Sequence, residues 1–189
     1  MDHLHVDWQE YHRLIERLAL QIHESGWQFD EILCLARGGL RVGDVLSRLF
    51  DKPLGVLFTS SYREHGGTSQ GALRIADAIS SAGPMQGPRV LVTDDLIDTG
   101  CTYNALLPEL ARRYPQFRQM RTAVLWLKGA AQFRPDYHVE LLPTSPWIHQ
   151  PFEVYDTMRP EQLAAAWRGE HVDSQPAALR QGPPGHAGA

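Results

Sequence analysis

Three acids and a run of small polar residues concentrate the chemistry of this chain in one stretch, Asp94-Asp95-Leu96-Ile97-Asp98-Thr99-Gly100-Cys101-Thr102. Adjacent carboxylates repel each other and are expensive to desolvate. Asp94 and Asp95 come just after the apolar Val90-Leu91-Val92, so they need hydroxyl donors, a cation, or both. Vicinal ribose hydroxyls are suitable donors, and Mg²⁺ prefers carboxylate oxygen. Asp98 to Thr102 leads into a helical pattern. Amides at a helix N-terminus, with Thr hydroxyls added, make an anion site, and Gly100 lets the backbone come close to a phosphate. One loop therefore offers carboxylates to a sugar and amides to its phosphate. A solvated turn with an Asp/Thr cap would explain a lone Asp-Asp pair. It does not explain the apolar strand, the third Asp, the Thr-Gly-x-Thr ending and the helix onset together.

A second polar interruption, Arg37-Gly38-Gly39, follows the apolar run Ile32-Leu33-Cys34-Leu35-Ala36. A Gly-Gly turn after a strand is commonplace and has a purely structural reading. Beside the first loop it supplies a cation that engages phosphate in a bidentate fashion, together with exposed amides.

These loops need elements to hold them. Trp8, Tyr11, Leu14, Ile15, Leu18, Ala19 and Ile22 recur at helical spacing, with Gly26 ending the helix. Residues 32–36, 54–58 and 90–92 are continuous apolar runs, as expected for strands buried on both faces. Leu40 to Leu49 is helical in period, and Thr102 is expected to cap a helix running through Tyr114, with Pro115 just after it. Thr122 to Leu127 and Tyr137 to Leu142 read as two more strands, and Pro160 to Trp167 as a short final helix with Pro160 in its first turn. Ser60 to Gly71 is polar and glycine-rich and is expected to be a mobile loop. Alternating strands and helices imply an α/β fold with a mostly parallel sheet flanked by helices. Ligands in such sheets bind at the carboxyl ends of strands, where both polar interruptions fall.

Composition bounds the rest. The chain has 189 residues, 43% of them hydrophobic, enough for one domain with a real core. A formal net charge of −4 and no basic block argue against non-specific nucleic-acid or bilayer binding. The two cysteines, Cys34 and Cys101, form no CxxC pair, so a reducing cytoplasm is the expected compartment. The first residues lack a basic flank and an apolar signal core, and no run is long enough for a membrane span. Residues 1–168 are expected to form the domain, and 169–189, rich in Gly, Pro, Ala and Gln, a disordered tail.

The Val90 to Thr102 stretch resembles the phosphoribosyl-pyrophosphate signature of type I phosphoribosyltransferases, and Ala36 to Leu40 resembles the pyrophosphate loop of the bacterial xanthine-guanine enzymes. The similarity runs from Trp8 to about Asp156, with extra residues around 114–119 and 130–133. It implies a type I fold with a small hood and transfer of 5-phosphoribosyl from phosphoribosyl pyrophosphate to a 6-oxopurine (guanine, xanthine or hypoxanthine), as in purine salvage. It implies that Arg37, Gly38, Gly39, Asp94, Asp95, Asp98, Thr99, Gly100, Cys101 and Thr102 bind the donor, with Mg²⁺ as cofactor at Asp95. Asp98 becomes the catalytic acid–base group. Lys128, Trp147 and Ile148 become the base pocket: Trp147 stacks on the purine, Ile148 packs on it or presents backbone groups, and Lys128 donates to a 6-oxo group, which disfavours adenine. Thr59-Ser60-Ser61-Tyr62 resembles the start of the family's flexible loop, expected to include Ser60, Ser61, Tyr62, Arg63 and Arg74. Gly71 stands where the family's loop carries an Arg, leaving Arg63 or Arg74 to serve, and His149 stands in place of an acid. A homo-oligomer is expected, since the family commonly forms dimers or tetramers. Three alternatives share these features: another acceptor base, a non-catalytic regulator that senses phosphoribosyl pyrophosphate, and a phospho-acceptor receiver domain. The receiver reading fits poorly, because its acids sit on separate strands.

Overall fold

The strands that read as continuous apolar runs are the ones that carry the fold. In a computed structural model, which describes residues 2–63 and 70–169, the elements in chain order are β1 (His3–His5), α1 (Trp8–Glu24), β2 (Glu31–Ala36), α2 (Leu40–Phe50), β3 (Leu54–Arg63), β4 (Gln70–Ile75), β5 (Ser80–Ser81), β6 (Arg89–Thr93), β7 (Leu96–Ile97), α3 (Cys101–Arg113), β8 (Gln119–Lys128), β9 (Tyr137–Leu142), β10 (Trp147–His149), α4 (Val154–Thr157) and α5 (Pro160–Trp167). The main sheet runs β4-β3-β2-β6-β8-β7, with β5 added beside β3 and β9 beside β8. Pairings among β2, β3, β6, β7, β8 and β9 are parallel, whereas β4 and β5 pair with β3 in antiparallel fashion. The expected mostly parallel α/β sheet is therefore present. Every residue of β2 is buried, as is the 122–128 stretch of β8. Strands covered on both faces show such unbroken burial.

The chain divides into two compact units, Arg13–Ser145 and a second made of Met1–His12 with Pro146–Ala189. The first holds the main sheet. Its core gathers Leu33, Leu35, Val90, Val92, Tyr103, Leu106, Val124 and Leu127. Trp126 is fully buried, and its indole N–H donates to Glu140 Oε2 at 3.1 Å. Asp30 anchors the start of β6: its carboxylate accepts from the backbone N–H of Arg89 and from the Arg89 guanidinium, whose closest contact is 2.7 Å. In the second unit β1 and β10 form a parallel ribbon, with His3 opposite Trp147 and His5 opposite His149. The final helix appears where the sequence places it, with Pro160 in its first turn.

One expectation needs correction. The polar stretch read as a loop from Ser60 is strand at both ends, since β3 continues to Arg63 and β4 begins at Gln70; residues 64–69 lie outside the described residues. Polar side chains leave no apolar period to read in a hairpin of this kind. Of the stretch expected to be a disordered tail, 169–189, residues 170–189 likewise lie outside the described residues.

Candidate active site

Neighbouring parallel strands bring the two polar interruptions together. Cys34 of β2 is in register with Thr93 of β6, so the loops that follow them leave the sheet at the same end. They touch closely. A Cβ on Gly39 would lie 2.6 Å from the Thr93 carbonyl oxygen, 2.8 Å from that of Leu35 and 3.0 Å from Asp94 Cα. A Cβ on Gly38 would lie 2.5 Å from Asp95 Oδ1. The Asp95 carboxylate thus rests on the Gly38 backbone, and the second loop is built tight against the acid pair. The Ala36–Arg37 peptide is cis, and the Arg37 side chain is exposed.

The acid pair hangs from β8. The Asp94 N–H donates to the Ala123 carbonyl at 3.2 Å, and the Asp95 carbonyl accepts from the amides of Leu125 and Trp126 at 2.9 and 3.2 Å. Asp94 Oδ1 accepts from the Asp95 amide at 2.9 Å, and Asp95 Oδ1 from the Leu96 amide at 2.8 Å. Burial, and then the neighbouring Asp95 charge, raise the Asp94 carboxyl well above its ordinary range. Hydroxyl donors or a cation would relieve both effects. Around the pair, burial followed by the charges of Asp94 and Asp95 raises the Tyr103 hydroxyl above its usual range. Burial and Asp94 push the Cys34 thiol up to about 12, so Cys34 is a neutral core thiol and not a nucleophile. The buried hydroxyls of Thr93 and Tyr103 have no hydrogen-bond partner among the described residues.

The third acid is positioned by strand register. In β7, Leu96 lies opposite Trp126 and Ile97 opposite Leu127. The next residues along the two chains are Asp98 and Lys128, and Lys128 Nζ sits 3.2 Å from Asp98 Oδ1. Lys128 is buried while Asp98 is half exposed, so an ammonium with little water around it is matched by a carboxylate open to solvent. The sequence reading named both residues but not their pairing. Extending the carboxyl-end rule from β2 and β6 to β8 would have found it.

Just beyond, Gly100 caps α3 with φ +86°, and no side chain caps that helix; Thr102 falls inside the first turn and is not the cap expected from sequence. Thr99 Oγ1 takes the Cys101 amide only at 3.4 Å. The first-turn amides of a helix lack intrahelical partners and favour an anion. Asp94, Asp95, Asp98 and Thr99–Thr102 are thus carried by one stretch of chain, the rim, with Gly38 and Gly39 packed against its acid pair.

The remaining sequence candidates are carried by other elements. Ser60, Ser61, Tyr62 and Arg63 are on β3 and Arg74 on β4, with Ser60 opposite Arg74. Trp147 and Ile148 belong to β10 in the second unit, the former 47% exposed and the latter buried. On that ribbon His3 Nδ1 is 2.7 Å from His149 Nε2, and the rings of His5 and His149 stack at 4.3 Å. Partial burial, then His5 and His3, lower the His149 imidazole below its ordinary pKa. No cluster of three or more His, Cys, Asp or Glu suited to a metal occurs among the described residues. Mg²⁺, however, is usually held by one or two carboxylates together with substrate phosphate oxygens, and an acid pair beside an anion site fits that donor set. No helix of the described residues is long and apolar enough to cross a membrane.

A family model described as a phosphoribosyl transferase domain matches residues 6–157. Among solved structures, the chain is similar to a purine phosphoribosyltransferase from Pyrococcus horikoshii, at 30% identity over 78% of this chain and 91% of that one, with a TM-score of 0.62. It shares the fold of a Helicobacter pylori xanthine-guanine-hypoxanthine phosphoribosyltransferase (24% identity, 86% and 99% of the two chains, TM-score 0.67). It also shares the fold of a Neisseria gonorrhoeae protein with bound ppGpp (23%, 89% and 97%, 0.64). The match extends over most of the chain and includes both loops of the rim, and on that basis the chain belongs to the phosphoribosyltransferase family and is an enzyme of that class.

Proposed function

We propose that the protein transfers the 5-phosphoribosyl group of phosphoribosyl pyrophosphate to N9 of a 6-oxopurine, guanine, xanthine or hypoxanthine, and releases pyrophosphate. The observation that carries this reading is the Lys128–Asp98 pair next to the acid pair and the α3 amides. In this reading the pair supplies a buried donor for a 6-oxo group and a carboxylate for the purine N7. The names of the Pyrococcus and Helicobacter enzymes support a purine acceptor.

In this reading Asp94 and Asp95 accept the ribose hydroxyls, and the amides of residues 99–102 with the Thr hydroxyls take the 5′-phosphate. Arg37 and the amides of Gly38 and Gly39 bind the pyrophosphate. As the bond from C1 to the pyrophosphate oxygen breaks, N9 bonds to C1 with inversion, and Asp98 accepts a proton from the base at N7. Asp95 would hold Mg²⁺, which when bound would neutralise charge on the leaving group. The chain's own contribution is positioning and electrostatic stabilisation. The roles assigned to Trp147 and Ile148 in this reading, stacking on the base and presenting backbone groups, follow the family resemblance. In this reading Ser60 to Arg63 on β3 and Arg74 on β4 help exclude water and so limit donor hydrolysis. The enzyme serves purine salvage in the cytoplasm as a homo-oligomer.

The test is a panel of bases with the donor, read by pyrophosphate release, with and without a chelator. Turnover of guanine, xanthine or hypoxanthine, lost with chelation and restored by Mg²⁺, is expected. Turnover of adenine or a pyrimidine alone would overturn the acceptor. Donor binding without release against any base would make the protein a sensor.

A further inference from the structure

The rim proposed to bind phosphate is braced by a short segment beyond Lys128, residues 129–133, that none of the assigned roles uses. After β8 the chain turns at Lys128–Ala131, where the Ala131 amide donates to the Lys128 carbonyl at 3.0 Å. The Gly129 amide is tied to the Leu142 carbonyl of β9 at 2.7 Å, and the Arg134 guanidinium reaches back to the Gly129 carbonyl at 3.3 Å. The turn is thus closed on itself and fixed to the sheet. From it the Gln132 amide donates to the Thr99 carbonyl at 2.8 Å. Phe133 then lies against Gly100: a Cβ there would be 2.6 Å from Phe133 Cβ and 2.7 Å from its amide nitrogen. The Phe133 ring stacks on Tyr103 of α3, with centroids 5.0 Å apart and planes 17° from parallel. Tyr103 itself is buried in the core.

These contacts have a direction. The rim's phosphate end is Thr99, Gly100 and the first turn of α3. Its cap is a glycine at φ +86° with no side-chain cap hydrogen bond, and the contact of Thr99 Oγ1 with the Cys101 amide is long, at 3.4 Å. The ring of Phe133, locked on a core tyrosine, presses the 132–133 backbone onto Thr99 and Gly100.

We propose that Phe133 is a positioning residue for phosphoribosyl transfer: stacked on Tyr103, it holds the Gln132–Phe133 backbone against Thr99–Gly100 and so sets the α3 amides that receive the donor's 5′-phosphate. The same segment starts at Lys128, so it also fixes the spacing between the phosphate amides and the Lys128–Asp98 pair. This inference rests on the assignment of residues 98–102 to the 5′-phosphate.

The experiment uses the full chain with the 6-oxopurine that turns over fastest, and measures donor KM, acceptor KM, kcat and thermal unfolding. The variants are Phe133→Ala, Phe133→Leu, which keeps apolar bulk without a ring, and Phe133→Tyr, which keeps the ring. A displacement near 1 Å at a positioned group costs on the order of a hundredfold, so partial loosening should raise donor KM about tenfold in the Ala and Leu variants. Acceptor KM should move far less, and Phe133→Tyr should return donor KM towards wild type. A merely structural ring would lower the unfolding temperature and the active fraction without that donor-specific shift. Unchanged donor KM in folded Ala or Leu variants, or an equal rise in both KM values, overturns the proposal. Thr102→Val separates the two levels. If it raises donor KM while the Phe133 variants do not, only the positioning role fails; if it too leaves donor KM unchanged, the phosphate assignment fails and the proposal falls with it.

Discussion

Gly39→Ala tests whether the two loops work because they are pressed together. Gly39 has φ −70° and ψ −9°, an ordinary helical conformation open to any residue. Alanine there carries no backbone strain and, given room, would add about 0.4–1 kcal/mol of stability by restricting the unfolded chain. The site has no room. The new methyl would meet two backbone carbonyl oxygens at 2.6 and 2.8 Å and Asp94 Cα at 3.0 Å. Non-bonded carbon contacts settle near ~3.5 Å, and backbone cannot rotate away as a side chain can, so the Arg37 loop and the end of β6 must separate by more than about half an ångström. Overpacking of this kind costs about 1–3 kcal/mol, for a net loss of roughly 0–2.5 kcal/mol. The kinetic cost is larger, because the displacement falls between the acid pair and the Arg37–Gly39 loop proposed to bind pyrophosphate. A shift of this size should lower kcat/KM for the donor by about 10- to 100-fold. Gly26→Ala is the matched control. There φ is +69° and nothing lies within 4 Å of the added atom, so it should cost about 1–2 kcal/mol of backbone energy and leave kinetics unchanged. Pyrophosphate release and urea unfolding on both variants decide it. A folded Gly39→Ala protein with wild-type kcat/KM would refute the reasoning, as would equal kinetic damage from Gly26→Ala.

Asp98→Asn should reduce turnover by about 10²–10⁴-fold, the usual contribution of a placed acid–base group, while calorimetric binding of the donor stays near wild type; near-normal turnover would remove Asp98 from the chemistry. The His3, His5 and His149 ribbon should make stability depend on pH. His149 holds a proton less readily in the fold than in the unfolded chain, because of partial burial and then His5 and His3, so the unfolded state binds more protons and stability falls as pH drops below the free imidazole value of about 6.5. Thermal unfolding between pH 7.5 and 5.5 should show that decline, and His149→Gln should flatten it; an unchanged slope in that variant would place the dependence elsewhere.

What was legible in the sequence follows from physical cause. β2 and β6 could be read because strands buried on both faces must be apolar throughout, and α1 because one buried face imposes a 3.6-residue period. The acids of the rim stood out because charges at the end of an apolar run need a reason to be there. The far ends of β3 and β4 could not be read, since polar residues carry no period and their pairing is set by the partner strand. β7 is two residues long, too short for any pattern, yet its register is what delivers Asp98 to Lys128. The Phe133–Tyr103 stack joins residues whose separate signals, a loop aromatic and a helix-face aromatic, say nothing of each other.

The β1–β10 ribbon has a consequence for how the chain comes together in time. His3 meets His149 across 146 positions of sequence. Loop-closure entropy grows with the logarithm of length, and such non-local pairs add little until the chain between them has condensed. On the ribosome, β1 waits without its partner until β10, 146 positions later, has emerged. It should be the last strand to find its register and the first to let go, so amide exchange at residues 4–6 should run ahead of that in β2 and β6.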